Sequence, residues 1–172
     1  MMDQKSQVQL IKLLEEESKM TERVLSVLKD TVLPVQISNN TRPIGQLAWH
    51  IVYTVGEMLS KTGLKVEGYT ETLPSEIPVG TTVSELLTLY KQFINSAIIS
   101  LKDSFPDEKL FESINLYGED WTRAYAIEAM VRHEIHHRAQ LIFLLRAVGF
   151  KVPGLYGPAQ EEWQEMGLPI PK

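Results

Sequence analysis

The chain has 172 residues, of which 44% are hydrophobic and 23% are charged, and its net charge is -5. This composition is typical of one ordinary globular domain, and the negative charge argues against binding to nucleic acid or to an anionic membrane surface. The chain contains no cysteine, which excludes disulfides, thiolate metal sites and a cysteine nucleophile. It shows no signal-peptide pattern and no apolar run long enough to span a membrane. We therefore expect a complete, cytoplasmic protein with a single domain over 1–172.

Proline and glycine divide the first part of the chain into two stretches with helical periodicity. The first helix is predicted from Asp3 to Lys29. The second is predicted to begin at Thr41, a typical N-cap residue, with Pro43 in its first turn, and to end at Gly63. This second helix is apolar on most sides, so we expect it to be the most buried of the helices.

A long loop, 64–81, separates the second helix from the third. Loops of this length in compact domains often serve as functional lids or oligomer contacts. The third helix is predicted to start near Thr82 and to end before Pro106, because proline interrupts helical hydrogen bonding. The connection 106–121 contains alternating apolar residues, which indicate a brief extended segment.

The fourth helix is predicted over 122–148, with Gly149 as the residue that terminates it. The remaining tail has room for one short helix near 159–166. Long amphipathic helices without a series of strands predict an all-α fold. We expect a four-helix bundle with a long loop between helices 2 and 3 and a short C-terminal helix.

Three of the four histidines lie close together in the predicted fourth helix. His133 and His137 are four residues apart, so on a helix they share one face, one turn from each other. They continue an inward stripe that is formed by Ala126, Met130, Gln140 or Leu141, Leu144 and Val148. Buried imidazoles need a partner, and a shared divalent metal ion provides one. The alternative is that one or both are core histidines satisfied by hydrogen bonds, or are partly exposed.

The fourth histidine, His50, lies in the middle of the apolar second helix. It is a candidate third ligand that reaches across the bundle, or else a core histidine hydrogen-bonded to a neighbouring helix. Glu57 shares the helical face of His50 and could orient a ligand, although a surface charge is the simpler explanation. The predicted metal ligands are therefore His50, His133 and His137.

The neighbours of this histidine pair are candidates for supporting roles. His136 could replace His137 by geometry alone, but His137 continues the stripe, so His136 is assigned to a helix contact or to the surroundings of the ligands. Arg138 and Gln140 are candidates for orienting the ligands, and ordinary packing or solvent exposure explains them equally well. No catalytic residue is assigned.

The string from His133 to His137 is also a match to H-E-x-x-H. In zinc proteases the two histidines of this motif bind zinc and the glutamate acts as general base. Such enzymes also need an upstream sheet and a downstream third ligand, for which Glu161 and Glu162 are the carboxylates that remain. A zinc hydrolase is therefore a remote alternative, and we expect Glu134 to face solvent or a neighbouring helix.

The segments LAWHIVY, around His50, and RHEIHHRAQL, with His133, His137, Arg138 and Gln140, resemble the DinB-like, YfiT-like metalloproteins in order and separation. As a pattern of helices the resemblance covers nearly the whole chain. It implies a four-helix bundle with a three-histidine site for one divalent metal ion, with open positions filled by water, and a homodimer. Imidazole ligands leave zinc, nickel, copper and iron open, with zinc or nickel favoured. Members were first noticed as damage-inducible genes.

Two functions stay open at this point. The resemblance implies a metal-dependent thiol S-transferase, which joins a low-molecular-weight thiol such as bacillithiol or mycothiol to an electrophile, or a non-catalytic metal-binding stress-response protein whose ion braces the bundle. The loop 64–81 and the connection 106–121 could wall a substrate pocket, which slightly favours the enzyme. Its candidate lining residues are Tyr69, Tyr117, Trp121 and Tyr156, although ordinary loop packing is the simpler explanation for each. A structural module without metal ranks last, because the three histidines would then coincide by chance.

Overall fold

Helices dominate residues 5–170, the part of the chain that the computed structural model describes. A short 3-10 turn, Asp30–Val32, follows the first helix, and one β-hairpin precedes the fifth. The elements are α1 (Gln7–Ser26), α2 (Ile44–Lys61), α3 (Val83–Ser104), α4 (Asp107–Leu110), β1 (Ser113–Leu116), β2 (Glu119–Thr122), α5 (Arg123–Ala147) and α6 (Gln160–Glu165). The predicted all-α class and helical bundle are confirmed, with α1, α2, α3 and α5 as the four long helices.

Side-chain caps fix the starts of α1 and α3. The Ser6 hydroxyl accepts a hydrogen bond from the Gln9 N–H, and the Gln9 side chain accepts one from the Ser6 N–H. Thr82 and Glu85 form the same reciprocal pair at the start of α3, and this helix begins near Thr82 as predicted. Each pair satisfies N–H groups that have no partner inside the helix. The first helix ends before the 3-10 turn and so is shorter than predicted, and residue 3 lies outside the described residues.

The start of α2 differs from the prediction. Thr41 is not its N-cap, because the hydroxyl and N–H of Thr41 both donate to the Ser38 carbonyl within a preceding turn. Pro43 takes the N-cap position instead. The N–H groups of Ile44 and Gly45 donate to backbone carbonyls of the preceding segment at 2.9 and 2.8 Å. Loop backbone therefore replaces a side-chain cap at this helix.

The extended segment predicted within 106–121 is an antiparallel hairpin of β1 and β2. Tyr117 and Gly118 form its two-residue turn, with φ angles of 54° and 86°. Positive φ at both turn positions matches the twist of the flanking strands. Thr122 then caps α5, and its hydroxyl accepts a hydrogen bond from the Tyr125 N–H.

The four long helices form a ring in which α1 and α2 each pack against both α3 and α5. The start of α1 lies beside the end of α3, where the Gln7 side chain donates to the Phe105 carbonyl at 2.9 Å. The end of α2 lies beside the start of α5, where the Arg123 guanidinium donates to the Thr62 carbonyl. Both of these helix pairs are therefore antiparallel.

The long loop between α2 and α3 returns along the length of the bundle. It begins beside the end of α3, where the Lys65 N–H donates to the Ser100 hydroxyl at 2.9 Å. It finishes beside the start of α2, where Trp49 Nε1 donates to the Pro74 carbonyl at 3.0 Å. Consequently α2 and α3 run in the same direction.

The core is formed by apolar side chains from all four long helices. The α2 helix is buried over most of its length, as predicted from its composition. Within residues 5–170 no helix combines the length and the apolar character that a membrane crossing requires.

Candidate metal centre

The antiparallel pair of α2 and α5 brings three histidines together. His50 lies near the middle of α2, and His133 and His137 lie on consecutive turns of α5. All three side chains are half-buried, at the edge of the core rather than inside it. The face of α5 that turns towards α2 therefore carries the two histidines, as the four-residue spacing predicts.

The Nε2 atoms of the three histidines point at one another. His137 Nε2 lies 3.2 Å from His50 Nε2 and 3.1 Å from His133 Nε2. All three atoms lie within 4.8 Å of one another, so the cluster is compatible with a bound metal ion. Three nitrogens that ligate one tetrahedral zinc ion at ordinary bond lengths are separated by roughly 3.4 Å. The two separations from His137 Nε2 are close to that geometry.

Burial keeps these imidazoles neutral. Burial, followed by the charges of His137, Arg42 and His133, lowers the pKa of His50 from 6.5 to about 4. Burial also lowers the pKa of His133 and of His137. A neutral imidazole presents a lone pair, which is the form that binds a metal. The three histidines are therefore in the protonation state of ligands at neutral pH.

Gln140 determines which nitrogen of His137 carries the proton. The Gln140 Oε1 atom lies 2.8 Å from His137 Nδ1, so Nδ1–H donates and Nε2 keeps its lone pair towards the cluster. The Gln140 Nε2 atom is 3.0 Å from Nε2 of His136, which is exposed and lies outside the cluster. Gln140 thus contacts a candidate ligand directly. His136 lies beside the cluster, where its ring packs edge-on against the His137 ring with the centroids 4.9 Å apart.

Glu57 lies on the same face of α2 as His50 but does not hydrogen-bond to a histidine in the described structure. Its carboxylate accepts from Lys61 Nζ at 2.6 Å and from the Tyr117 hydroxyl at 3.2 Å. The influence of Glu57 on the cluster is electrostatic, since its charge opposes the burial that lowers the pKa of His133. Glu57 therefore links α2 to the hairpin rather than orienting a ligand.

The structure does not bring Arg138 to the cluster. Its guanidinium donates to the Glu17 carboxylate at 2.6 Å, to the Thr21 hydroxyl at 2.9 Å and to the Tyr156 hydroxyl. Successive side chains on a helix point about 100° apart, so Arg138 faces α1 whereas His137 faces α2. Arg138 is a buried structural residue and does not orient the candidate ligands.

Glu134 also lies away from the histidines. It is 2% exposed and accepts a hydrogen bond from the Tyr90 hydroxyl of α3, so it faces a neighbouring helix. Burial raises the pKa of its carboxyl group. A zinc protease needs this glutamate beside the metal-bound water. The H-E-x-x-H interpretation therefore has no support in the geometry.

Two cavities border the histidine cluster. One, of about 970 Å³, is lined by His50, Arg42, Gln46 and the loop 75–81. The other, of about 630 Å³, is lined by His136, His137, Gln140, Arg42 and Phe143, among others. The long loop thus walls a cavity, as the sequence indicates, whereas the connection 106–121 lines neither of the two.

The predicted aromatic lining lies elsewhere, because Tyr69, Tyr117, Trp121 and Tyr156 line neither of these cavities. Sequence reasoning missed Arg42, which borders both of them. Arg42 precedes Pro43 in the chain and lies eight residues before His50. In the sequence this position indicates only the start of a helix.

The sequence model of the DinB family matches residues 1–171. The chain belongs to the DinB family. It is 34% identical over 156 residues to the Bacillus subtilis (strain 168) protein YrdA, described as uncharacterized, and the match covers 91% of each chain. DinB membership agrees with the helical bundle.

Two crystal structures of DinB-like proteins share the fold. One, from Bacillus cereus ATCC 10987, has a TM-score of 0.78 and 29% identity, and the match covers 87% of this chain and 97% of that one. The other, YjoA from Bacillus subtilis, has a TM-score of 0.65 and 18% identity, and the match covers 86% of this chain and 96% of that one. The second likeness supports the fold alone.

Proposed function

We propose that the chain binds one divalent metal ion, zinc or nickel, through Nε2 of His50, His133 and His137. The convergence of three neutral Nε2 atoms beside two open cavities is the observation that carries this proposal. Structural zinc sites are usually closed by four protein ligands, whereas catalytic sites keep a position open. Three ligands with access to solvent therefore favour a site that accepts a small molecule.

We propose further that the protein is a thiol S-transferase. A divalent cation held by imidazoles supplies Lewis acidity, which makes a bound thiol more acidic. The chain has no cysteine, so the sulfur nucleophile must come from a low-molecular-weight thiol. In the reaction the thiol proton goes to water, the sulfur electron pair forms a new S–C bond, and the leaving group departs with the electrons of the broken bond. Such thiols are reduced in the cytoplasm, where we propose the protein acts.

The residues of the chain have defined tasks in this scheme. The imidazoles of His50 and His133 contribute lone pairs without a charge that would repel the ion. Gln140 holds the His137 ring in the tautomer that leaves Nε2 free. The two bordering cavities provide separate volumes for a thiol and an electrophile.

The metal site is tested by metal content per chain, measured by mass spectrometry on protein purified without chelator or histidine tag. We expect nearly one metal ion per chain in the wild type. In His133→Ala we expect almost none, because the two imidazoles that remain bind a metal weakly. The matched control is His136→Ala, which removes an exposed histidine of the same helix that lies outside the cluster. Loss of metal in His136→Ala but not in His133→Ala would contradict the ligand assignment.

The enzymatic proposal is tested by turnover of a thiol with a model electrophile. The panel contains bacillithiol, mycothiol, glutathione and cysteine, and activity should disappear in His137→Ala and on chelation. Zero turnover across the panel by a fully metal-loaded protein would count against the transferase. If chelation then lowers the thermal midpoint strongly, the result favours the non-catalytic metal-binding protein instead.

Gln140→Leu is expected to weaken metal binding by about tenfold, because the His137 ring loses the acceptor that fixes its tautomer. Gln140→Glu replaces the amide oxygen with a carboxylate oxygen, which still accepts from His137 Nδ1–H, and should retain most of the affinity. Competition with a chromogenic chelator measures the metal affinity of both variants and of the wild type. Equal affinity in Gln140→Leu and the wild type would show that the amide does not orient the ligand.

A further inference from the structure

Arg42 is an arginine without a protein partner beside the histidine cluster. It is exposed, and within residues 5–170 its guanidinium takes part in no hydrogen bond or ion pair. It borders both cavities of the site, together with His50 in one and with His137 in the other. Its five N–H donors are therefore free to bind a ligand that enters either cavity.

The smaller cavity has an unbalanced positive charge. Among the described residues that line it, Arg42 is the only lysine, arginine, aspartate or glutamate. The remaining lining is polar at Gln140 and His136 and apolar at Leu47 and Phe143. The larger cavity differs, because Asp30 and Glu76 line it as well and offset the arginine. An anion is therefore favoured in the smaller cavity.

Arg42 is close enough to the candidate ligands to act on them electrostatically. Burial is the largest cause that lowers the pKa of His50 and of His137, and the charge of Arg42 is among the further causes for both. A fixed cation beside a metal-binding cluster also repels the metal ion. A negatively charged ligand placed between the guanidinium and the metal ion would remove this repulsion. A substrate with an anionic group would therefore offset the electrostatic cost of placing Arg42 beside the cluster.

We infer that Arg42 binds a carboxylate of the thiol substrate and selects carboxylate-bearing thiols in the smaller cavity. This inference rests on the proposed thiol S-transferase function. The planar guanidinium fork matches a carboxylate through two parallel hydrogen bonds, which fixes orientation as well as charge. The thiol sulfur would then face the histidines while Leu47 and Phe143 cover the apolar part of the molecule.

The test uses the full chain loaded with cobalt(II), whose visible absorption changes when a thiolate binds. Three thiols of similar size but different charge are titrated: 3-mercaptopropionate, 2-mercaptoethanol and cysteamine. The measured quantity is the ratio of Kd values for the neutral and the anionic thiol. We expect this ratio to be about fivefold higher in the wild type than in Arg42→Met, since a partly exposed ion pair has an effect of that size. Comparing ratios between variants cancels the intrinsic differences among the thiols.

Arg42→Lys should keep part of the preference for the anionic thiol, and Arg42→Glu should shift the preference towards cysteamine, which is cationic. The matched control is Arg146→Met, which removes an exposed arginine that pairs with Glu161 and borders neither cavity. Metal content measured on each variant shows that the cluster is intact.

An unchanged ratio in Arg42→Met, with thiols still binding, would overturn the inference and leave the thiol proposal standing. If no thiol changed the spectrum of the cobalt-loaded wild type, the thiol proposal would fail, and the inference would fail with it.

Discussion

Arg138→Met is expected to lower the free energy of unfolding by about 3–5 kcal/mol. Arg138 is 1% exposed, and its guanidinium donates to the Glu17 carboxylate, the Glu17 carbonyl and the Thr21 hydroxyl. Without it the buried Glu17 carboxylate keeps the Tyr156 hydroxyl as a donor but has no compensating positive charge. Denaturant titration followed by circular dichroism measures the change.

Two further variants show whether the loss comes from an uncompensated buried charge. Arg146→Met removes an exposed ion pair with Glu161 from the same helix and should have a much smaller effect. The double variant Glu17→Gln/Arg138→Met neutralises both partners and should recover part of the lost stability. Equal destabilisation by Arg138→Met and Arg146→Met would show that the buried network contributes little to stability.

Zinc added to the metal-free protein at about 1,000 times its Kd is expected to stabilise the fold by about 4 kcal/mol. For a chain of this size the thermal midpoint should rise by about 8–16 °C. The reason is that the three imidazoles converge only when α2 and α5 are packed together, so the unfolded chain offers no comparable site. Calorimetry with and without zinc measures the shift.

The histidine variants decide whether this stabilisation comes from the cluster. His137→Ala removes the ring that contacts both other histidines and should abolish the zinc-dependent shift. His136→Ala should retain it, because His136 is exposed and outside the cluster. A full shift in His137→Ala would place the stabilising zinc elsewhere on the chain.

The histidine cluster is the part of the site that sequence reasoning places most directly. Helical periodicity alone puts His133 and His137 on one face, and the apolar surroundings of His50 put it in a neighbouring helix. Their meeting depends on α2 and α5 being adjacent and antiparallel, which single-helix periodicity does not determine. The family resemblance provides that adjacency.

The buried charges of α5 could not be predicted in the same way. Charged residues are rarely buried without a partner, so the sequence leaves Glu134 open between solvent and a neighbouring helix and makes Arg138 a candidate for orienting the ligands. Their partners are distant in sequence: Glu17 precedes Arg138 by 121 residues, and Tyr90 precedes Glu134 by 44. The deepest stripe of α5 runs through these two residues, and the histidines lie beside it.

The role of Arg42 also emerges only in three dimensions. In the sequence it belongs to the first turn of a predicted helix, and its dipeptide with Pro43 indicates only where that helix starts. The cavities that it borders are formed by the loop 75–81 on one side and by α5 on the other. No local pattern in the chain predicts that these segments meet there.

The ring arrangement of the long helices has a consequence for the order of folding. The four interfaces of the ring join α1 to α3, α1 to α5, α2 to α3 and α2 to α5. Of these pairs only α2 and α3 follow each other among the long helices, so most interfaces join helices that are not consecutive in the chain. Contacts between distant segments form slowly, because long loops must close first. We therefore expect slower folding than in a bundle of sequential helical hairpins. The three imidazoles converge only after this ring has closed, so a growing or half-folded chain has no complete centre with which to capture an ion.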